Sequence, residues 1–559
     1  MEQRLYQWQE ECLDRWLEND ARGIVQAVTG SGKTRLALCA MDALERKLGR
    51  KVLVKIVVPT SSLMRQWAKA LREHREASGA DKGVLERDVS DKSLSEKNAS
   101  EKSDSGKNSP QNRISDMHVL QKRIVQNKIG LHGGGRKDPD DARYMIYVIN
   151  SARYELARQI LTQLKSGEAV LLIADECHHY TSRENYLIFE FLDRIDKDKS
   201  DYYSLGLSAT LPSGKERHML EKALGSCIYS YGMSKALAMK TVCPFDVFHI
   251  ALTFQEEELD EYEELTTEMT YCHKQLVQKV PSLGKLNRRE LFEELRRLSS
   301  VKNAKIARLA STYLNLTYKR RILVCLAASR ISCAENLVLR LDPKERILVF
   351  GERIDQAEEL YGILYRHYPG RVGRCHSKMG EQANRMNLER FRTGEYRILI
   401  TCKSMDEGVD IPDASVGIIL SGTSMQRQRM QRLGRIIRRG HGKERAALYY
   451  LHVEESSEDN CYLPEVWESR TFELEYDFDR QNFTQPAYDE AAWMALEDIR
   501  RSGVSEKTLQ EAWRCLDLGR VRGDWMEEPD TYESRIRSAE QTEERNYWIC
   551  MKKAAAFRL

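Results

Sequence analysis

Short aliphatic runs recur along the first part of the chain: "GIVQAV" from residue 23, "KVLVKIVVP" from 51, "YMIYVIN" from 144, "AVLLIADE" from 169 and "YYSLGLSAT" from 202. Their apolar character is continuous rather than alternating, which predicts strands buried on both faces, in a parallel sheet wrapped by helices. From about 254 to 316 the pattern turns into charged helical sequence, "FQEEELDEYEELTTEMTYCHKQL" and "NRRELFEELRRLSSVKNAKIARLASTYL". Strands resume with "RILVF" at 346, "RILIT" at 397, "ASVGIIL" at 414 and "AALYYLH" at 446. The expected fold is α/β: a doubly wound parallel-sheet domain over 1–240, a helical insertion over 241–330, a second doubly wound domain over 331–455 and a helical extension over 456–559.

Two stretches break the pattern. Residues 90–115 hold eight serines and no aromatic or valine, too little apolar surface to offset ordering entropy, so the surrounding insert at about 81–127 is expected to be disordered. The segment after 456 holds five of the eight tryptophans, Trp467, Trp493, Trp513, Trp525 and Trp548. So much aromatic surface predicts a folded extension or a partner-docking surface.

Composition narrows the class. A formal net charge of +3, with 41% hydrophobic and 31% charged residues, describes a globular protein whose basic sites must be local. Thirteen cysteines occur without C-x-x-C pairing or zinc-like grouping with histidine, so a reducing, cytoplasmic compartment is expected. The N-terminus has no apolar segment of signal-peptide length and no 18 apolar residues run together, so neither export nor a membrane partner is expected.

The chemistry begins in "GIVQAVTGSGKTRLALCAM", a strand, a loop and a helix. Glycines at 30 and 32 let backbone N–H groups of the loop Thr29, Gly30, Ser31, Gly32 turn toward a phosphate; Lys33 adds charge and Thr34 offers a hydroxyl to magnesium. The strand "AVLLIADECHH" then supplies Asp175 to hold the metal and Glu176 to orient and deprotonate water, the parts of an ATP and Mg2+ hydrolase. His178 and His179 are adjacent and lack the i, i+4 spacing of a helical zinc pair.

In order along the chain, "LYQWQ", "TGSGKT", "VVPTSSLMRQW", "DECHH", "LSAT", "ILVF", "MDEGVDIPDASVGIIL" and "QRLGRIIR" resemble the motifs of superfamily 2 helicases and translocases of the DExH type. "DEGVDIP" followed by "QRLGRIIR" is more similar to XPB-like DNA translocases and restriction-enzyme motor subunits than to DEAD-box RNA helicases. The chain departs from XPB in starting almost at the Gln motif, with its own insertion and an unmatched tail. The resemblance implies two tandem RecA-like domains. It also implies that Gln9 reads adenine, that Gly408 and Asp410 touch the ribose and phosphate side, and that Ser208 and Thr210 couple the acidic motif to a nucleic-acid groove. Thr60, Ser151 and Thr401, just after predicted strands, are expected to grip a strand backbone without reading bases.

The segment "QRQRMQRLGRIIRRG", residues 426–440, carries six arginines. On a regular helix Arg432, Arg435 and Arg438 or Arg439 form one stripe, interrupted by Gly434, whose presence predicts a close approach by backbone or ligand. The resemblance assigns Gln431, Arg435 and Arg438 to the γ-phosphate, reached across the cleft between the two sheets. For Arg427 and Arg429 a solvated face and phosphate contacts stand equal. The expected function is a nucleic-acid-dependent ATPase, a DNA helicase or translocase in a bacterial repair, restriction or phage-defence complex. The alternatives are an RNA helicase, or an ATP-dependent switch whose tail binds a protein partner and recruits an effector such as a nuclease.

Overall fold

The computed structural model describes residues 5–77, 128–196, 200–402, 414–421, 432–438, 443, 445–456, 458, 470–517 and 529–557. The serine-rich stretch lies outside them, as do Trp467, Trp525, Gly408, Asp410, Arg427, Arg429, Gln431 and Arg439. Two compact units result: residues 1–242 with 406–411 and 427–439, and residues 243–405 with 412–426 and 440–559.

The first unit runs α1 (Gln7–Glu18), β1 (Arg22–Ala27), α2 (Lys33–Leu48), β2 (Leu53–Val58), α3 (Ser61–Ala77), β3 (Ile129–Gly133), β4 (Arg136–Lys137), β5 (Tyr144–Val148), α4 (Ile149–Lys165), β6 (Val170–Asp175), β7 (Tyr202–Ser208), α5 (Gly214–Leu224), β8 (Cys227–Tyr231) and α6 (Met233–Ala238). Its strands lie in the order β4-β3-β5-β2-β6-β7-β1-β8, parallel except for the β3–β4 pair. Every residue of β5 and β6 is buried. Met145, Tyr147, Val170, Leu172 and Ala174 pack on Ala152, Leu156 and Ile160 of α4, as strands covered on both faces require.

The second unit runs β9 (Phe245–Leu252), α7 (Glu256–Lys279), α8 (Arg288–Leu298), α9 (Ala304–Leu326), α10 (Ala328–Arg340), β10 (Ile347–Gly351), α11 (Ile354–His367), β11 (Val372–Cys375), α12 (Glu381–Arg392), β12 (Ile398–Cys402), β13 (Val416–Ile419), β14 (Ala446–Val453), β15 (Arg470–Asp477), β16 (Asn482–Thr484), α13 (Pro486–Arg501), α14 (Glu506–Asp517), α15 (Pro529–Ser538) and α16 (Thr542–Ala555). The strand order is β11-β12-β10-β13-β14-β9-β15-β16, with only β15–β16 antiparallel. Both sheets are therefore parallel-dominated and helix-covered, in the tandem RecA-like arrangement.

Two assignments differ from the sequence reading. "FDVFHIAL" is a strand of the second sheet, β9, lying between β14 and β15 rather than belonging to a helical insertion. Its polar Asp246 is matched by Arg445, whose Nε and Nη2 donate at 2.7 and 2.6 Å, so a charge that argues against a buried strand is neutralised from a distant part of the chain. The C-terminal extension is also not all helical: β15 and β16 extend the sheet edge before α13–α16 close a small core around Tyr488, Ile499, Leu516 and Met551. Helices α9 and α10 together are long and apolar enough to cross a membrane by length and composition alone. They break at Ala327, and Leu316, Val324, Ala334 and Leu337 are buried within the second unit.

Arg330 of α10 is fully buried. Its Nε donates to Val324 O at 2.8 Å, Nη1 to Leu451 O at 3.0 Å and to Leu420 O, and Nη2 pairs with Glu458. One side chain thus ties α9, α10 and the ends of β13 and β14. Removing it leaves a buried carboxylate and several carbonyls without their donor, so Arg330→Ala should lower unfolding stability by about 3–5 kcal/mol, read by denaturant titration.

Lys55 of β2 presents the opposite case. It is fully buried and its Nζ has no hydrogen-bond partner among the described residues, and burial lowers its pKa to about 8. The unfolded chain binds more protons between that value and the ordinary lysine range. Stability linked to Lys55 is therefore present above about pH 10.5 and is lost as pH falls through about 8. Lys55→Met should raise stability at neutral pH by about 1–3 kcal/mol, with a gain that shrinks as pH rises through that window, measured by denaturation at several pH values.

Candidate active site

Strands β6, β7 and β1 are neighbours, and their carboxyl ends carry the acidic motif, the "SAT" turn and the glycine loop. A parallel sheet places ligands at this edge. The glycine loop is locally built. Gly30 and Gly32 have φ of 83° and 93°, left-handed values open to glycine, and Gly32 is the N-cap of α2. A Cβ on Gly32 would stand 2.7 Å from Gln9 Nε2. Ser31 is buried, and its hydroxyl donates to Val28 O at 2.7 Å, closing the turn. Lys33 Nζ donates to Ala27 O at 2.9 Å and Val28 O at 3.4 Å, lying back along the strand end. Thr34 follows in the first turn of α2.

Gln9 stands behind this loop rather than on an open surface. It is fully buried; Nε2 donates to Gly32 O at 3.0 Å and Oε1 accepts from the Tyr6 N–H at 3.0 Å. Both ends of the amide thus tie the start of α1 to the last loop glycine.

Asp175 ends β6 and is buried. Burial pushes its carboxyl up, opposed by the Trp67 indole, the Lys33 ammonium and the Glu176 N–H. Trp67 Nε1 donates to Oδ2 at 2.7 Å and Glu176 N–H to Oδ1 at 3.1 Å. Trp67 was not singled out in the sequence, where it reads as one more apolar position of α3; the available signal was that a buried indole N–H needs an acceptor. Glu176 adopts φ 47° and ψ 50°, a left-handed conformation costing a non-glycine residue about 1–2 kcal/mol. Its Oε2 lies 3.4 Å from His178 Nδ1. Cys177 is buried, which pushes its thiol up and away from nucleophilic use.

Ser208 joins the acidic motif to the turn after β7. Its hydroxyl donates to Thr210 O at 2.6 Å and lies 2.8 Å from His178 Nδ1. A hydroxyl has one proton, and a carbonyl can only accept. Ser208 therefore accepts from His178, which fixes the proton of that ring on Nδ1, the nitrogen beside Glu176.

The arginine segment is helical over 432–436 and bends at 437–438, so the regular stripe expected through Arg438 ends two residues early. The described residues of this segment, 432–438, group with the first unit. A Cβ on Gly434 would collide with the side chain of Thr29, and a Cβ on Gly30 would lie 3.3 Å from both Arg438 Cγ and Gly434 O. Gly434 is thus a close approach of backbone to the glycine loop. Arg432 and Arg435 are buried.

Of the expected strand-gripping residues, Thr60 and Ser151 follow β2 and β5 at the same edge of the first sheet. Thr60 accepts from the Leu63 N–H at 3.3 Å, capping α3, and Ser151 sits in the first turn of α4. Thr401 differs: it lies inside β12, is buried, and donates its hydroxyl to Val349 O at 3.1 Å. That hydroxyl faces the sheet rather than a passing strand, because β12 continues one residue beyond it.

The oxygens of Thr34 and Asp175 are hard ligands of the kind magnesium takes, with the rest of its shell from water and phosphate. Among the described residues no group of three or more His, Cys, Asp or Glu could hold a metal alone, and an ion of this kind needs only one or two protein oxygens. With the positive-φ loop beside them, the residues fit a magnesium nucleotide.

Comparison with known proteins bears on the family. Residues 2–213 match the family described as type III restriction enzyme, res subunit, and residues 329–440 match the helicase conserved C-terminal domain. The DNA 3'-5' translocase XPB2 of Sulfurisphaera tokodaii is 26% identical over 461 residues, 81% of this chain and 82% of that protein. The DNA 3'-5' helicase XPB of Mycobacterium tuberculosis is 24% identical over 348 residues, 62% of this chain and 51% of that protein. A fragment of an HsdR-type subunit of a type I restriction enzyme from Vibrio vulnificus superposes with a TM-score of 0.48 at 16% identity, over 85% of this chain and 69% of that one. The chain belongs to the ATP-dependent helicases and translocases of superfamily 2, related to XPB-like helicases and restriction-enzyme motor subunits.

Proposed function

We propose that the protein is a DNA-stimulated ATPase that moves along DNA. The observation that carries this reading is the chain of contacts at the sheet edge where Thr60 and Ser151 also stand: Glu176 Oε2 lies 3.4 Å from His178 Nδ1, and hydrogen bonds join His178 to Ser208 and Ser208 to Thr210 O. It connects the group that activates water to the edge on which a nucleic-acid backbone would lie. DNA is preferred over RNA because the relative matched over most of both chains is named as a DNA translocase. The match to a restriction-enzyme res subunit supports a place in a bacterial defence or repair complex, and the cysteine usage supports a cytoplasmic one.

Each residue then has a defined task. Lys33 would exchange Ala27 O and Val28 O for phosphate oxygens, and the loop N–H groups would hold the remaining phosphate charge. Magnesium, when bound, supplies charge that stabilises the phosphoryl oxygens, with Thr34 and Asp175 as its protein ligands. Glu176 orients the attacking water and takes its proton on a carboxylate oxygen, with His178 Nδ1 3.4 Å from its Oε2. Arg435 and Arg438 add positive charge where charge develops on the γ-phosphate, and Gln9 keeps the loop in register. Gln431, Gly408 and Asp410, which lie outside the described residues, belong to the same nucleotide site in this proposal, as the resemblance implies.

A second reading has its own observation. Trp493, Met494 and Trp513 are 61%, 60% and 54% exposed on α13 and α14, as a switch that displays its C-terminal helices to a protein partner would require. Deleting residues 486–559 would then keep the ATPase and remove the partner.

The test is steady-state ATPase with no nucleic acid, single-stranded DNA, double-stranded DNA and RNA in parallel. DNA should stimulate most, and Glu176→Gln should lower turnover by about 10²–10⁴-fold while nucleotide still binds. Stimulation by RNA alone would replace the DNA reading, and no stimulation by any of them would remove it.

Gly434→Ala tests the contact at Thr29. The added methyl group has no room, so the arginine turn must move away from the loop. Turnover should fall about a hundredfold with nucleotide affinity retained and the circular dichroism spectrum unchanged; full activity would show that the close contact has no part in hydrolysis.

A further inference from the structure

We propose that Trp67 is a positioning residue for the magnesium-binding carboxylate: its indole N–H, 2.7 Å from Asp175 Oδ2, sets the plane in which that carboxylate meets the metal. The proposal deepens the reading of this site as a magnesium-nucleotide site and rests on it. Both side chains are buried, and the indole N–H has Asp175 Oδ2 as its acceptor. The indole is a donor only and has two side-chain torsions, both held by packing on α3. Oδ1 takes the Glu176 N–H at 3.1 Å, so each oxygen receives one hydrogen bond from the protein and keeps lone-pair capacity for a metal ion or its water. The backbone of the same residue is held as well: Tyr180 OH lies 2.6 Å from Asp175 O and 2.8 Å from Val57 O, bracing the ends of β6 and β2. A carboxylate fixed at its side chain and at its carbonyl is preorganised for one ligand geometry. Loss of an outer-shell partner of this kind typically lowers metal affinity by about 10–100-fold.

The test uses the full chain carrying Glu176→Gln, so that ATP binds without turning over. ATP affinity is measured in excess Mg2+ and in EDTA, and the ratio reports how much the metal adds. Trp67→Phe should reduce that ratio by about 10–100-fold and leave the affinity in EDTA unchanged. Because phenylalanine also leaves a void, a second protein carries benzothienylalanine at position 67, which keeps the ring volume and removes only the N–H; it should show the same loss. A ratio unchanged in the benzothienylalanine protein overturns the proposal, as does an equal loss in Mg2+ and in EDTA, which is the mark of general damage. If ATP fails to bind even with Trp67 intact, the nucleotide-site reading and this proposal fall together, an outcome distinct from the other two.

Discussion

The Asp175 carboxyl stands at a place from which water is nearly excluded, and three segments of the first unit converge on it. Asp175 ends a strand buried along its whole length, where desolvation favours the neutral acid. Three groups oppose it: the indole of Trp67, the ammonium of Lys33 and the N–H of Glu176. They come from α3, α2 and the residue after β6. Those segments can meet only if β2 and β1 lie close on either side of β6, and the strand order β2-β6-β7-β1 supplies that. The parallel sheet is therefore part of the electrostatics of the site as well as its support.

The parts of this arrangement that are contiguous in the chain were legible in the sequence. The strand, glycine loop and helix around Lys33 depend on neighbouring residues, as does the aliphatic run ending at Asp175. Features joined over long distances were not. Asp246 and Arg445 are separated by 199 positions, and without that pair "FDVFHIAL" carries a charge that argues against a buried strand. Trp67 and Asp175 are 108 positions apart, so the donor to this carboxylate reads locally as a core residue. Gln9 and Thr401 show the same limit from the other side: the resemblance implied a ligand contact for each, while in the fold both are buried and the backbone around each provides partners for its polar atoms.

The second unit solves its own long-range problem with Arg330. The ends of β13 and β14 and the junction of α9 with α10 all present carbonyl oxygens away from water, and one guanidinium with its fork of donors satisfies several of them while Glu458 balances the charge. This cluster joins the helices that follow β9 to the sheet that β9 enters. A helical excursion of some eighty residues between β9 and β10 is tolerated because both its ends are fixed to the same sheet.

Helix α3 and the Ser208 turn show how one sheet edge can carry information as well as chemistry. Thr60 caps the helix whose Trp67 side chain reaches Asp175, so the start of α3 and the carboxylate are joined through about two turns of rigid backbone. Ser208 makes the second connection. Its single proton is held by Thr210 O, which obliges His178 to present Nδ1–H beside Glu176. If the turn moves and Thr210 O withdraws, the Ser208 proton is free to point at His178, and the other tautomer becomes compatible with the same ring position. The proton position on the ring beside Glu176 is therefore set by one carbonyl in the turn after β7, without any movement of the strand that carries Glu176.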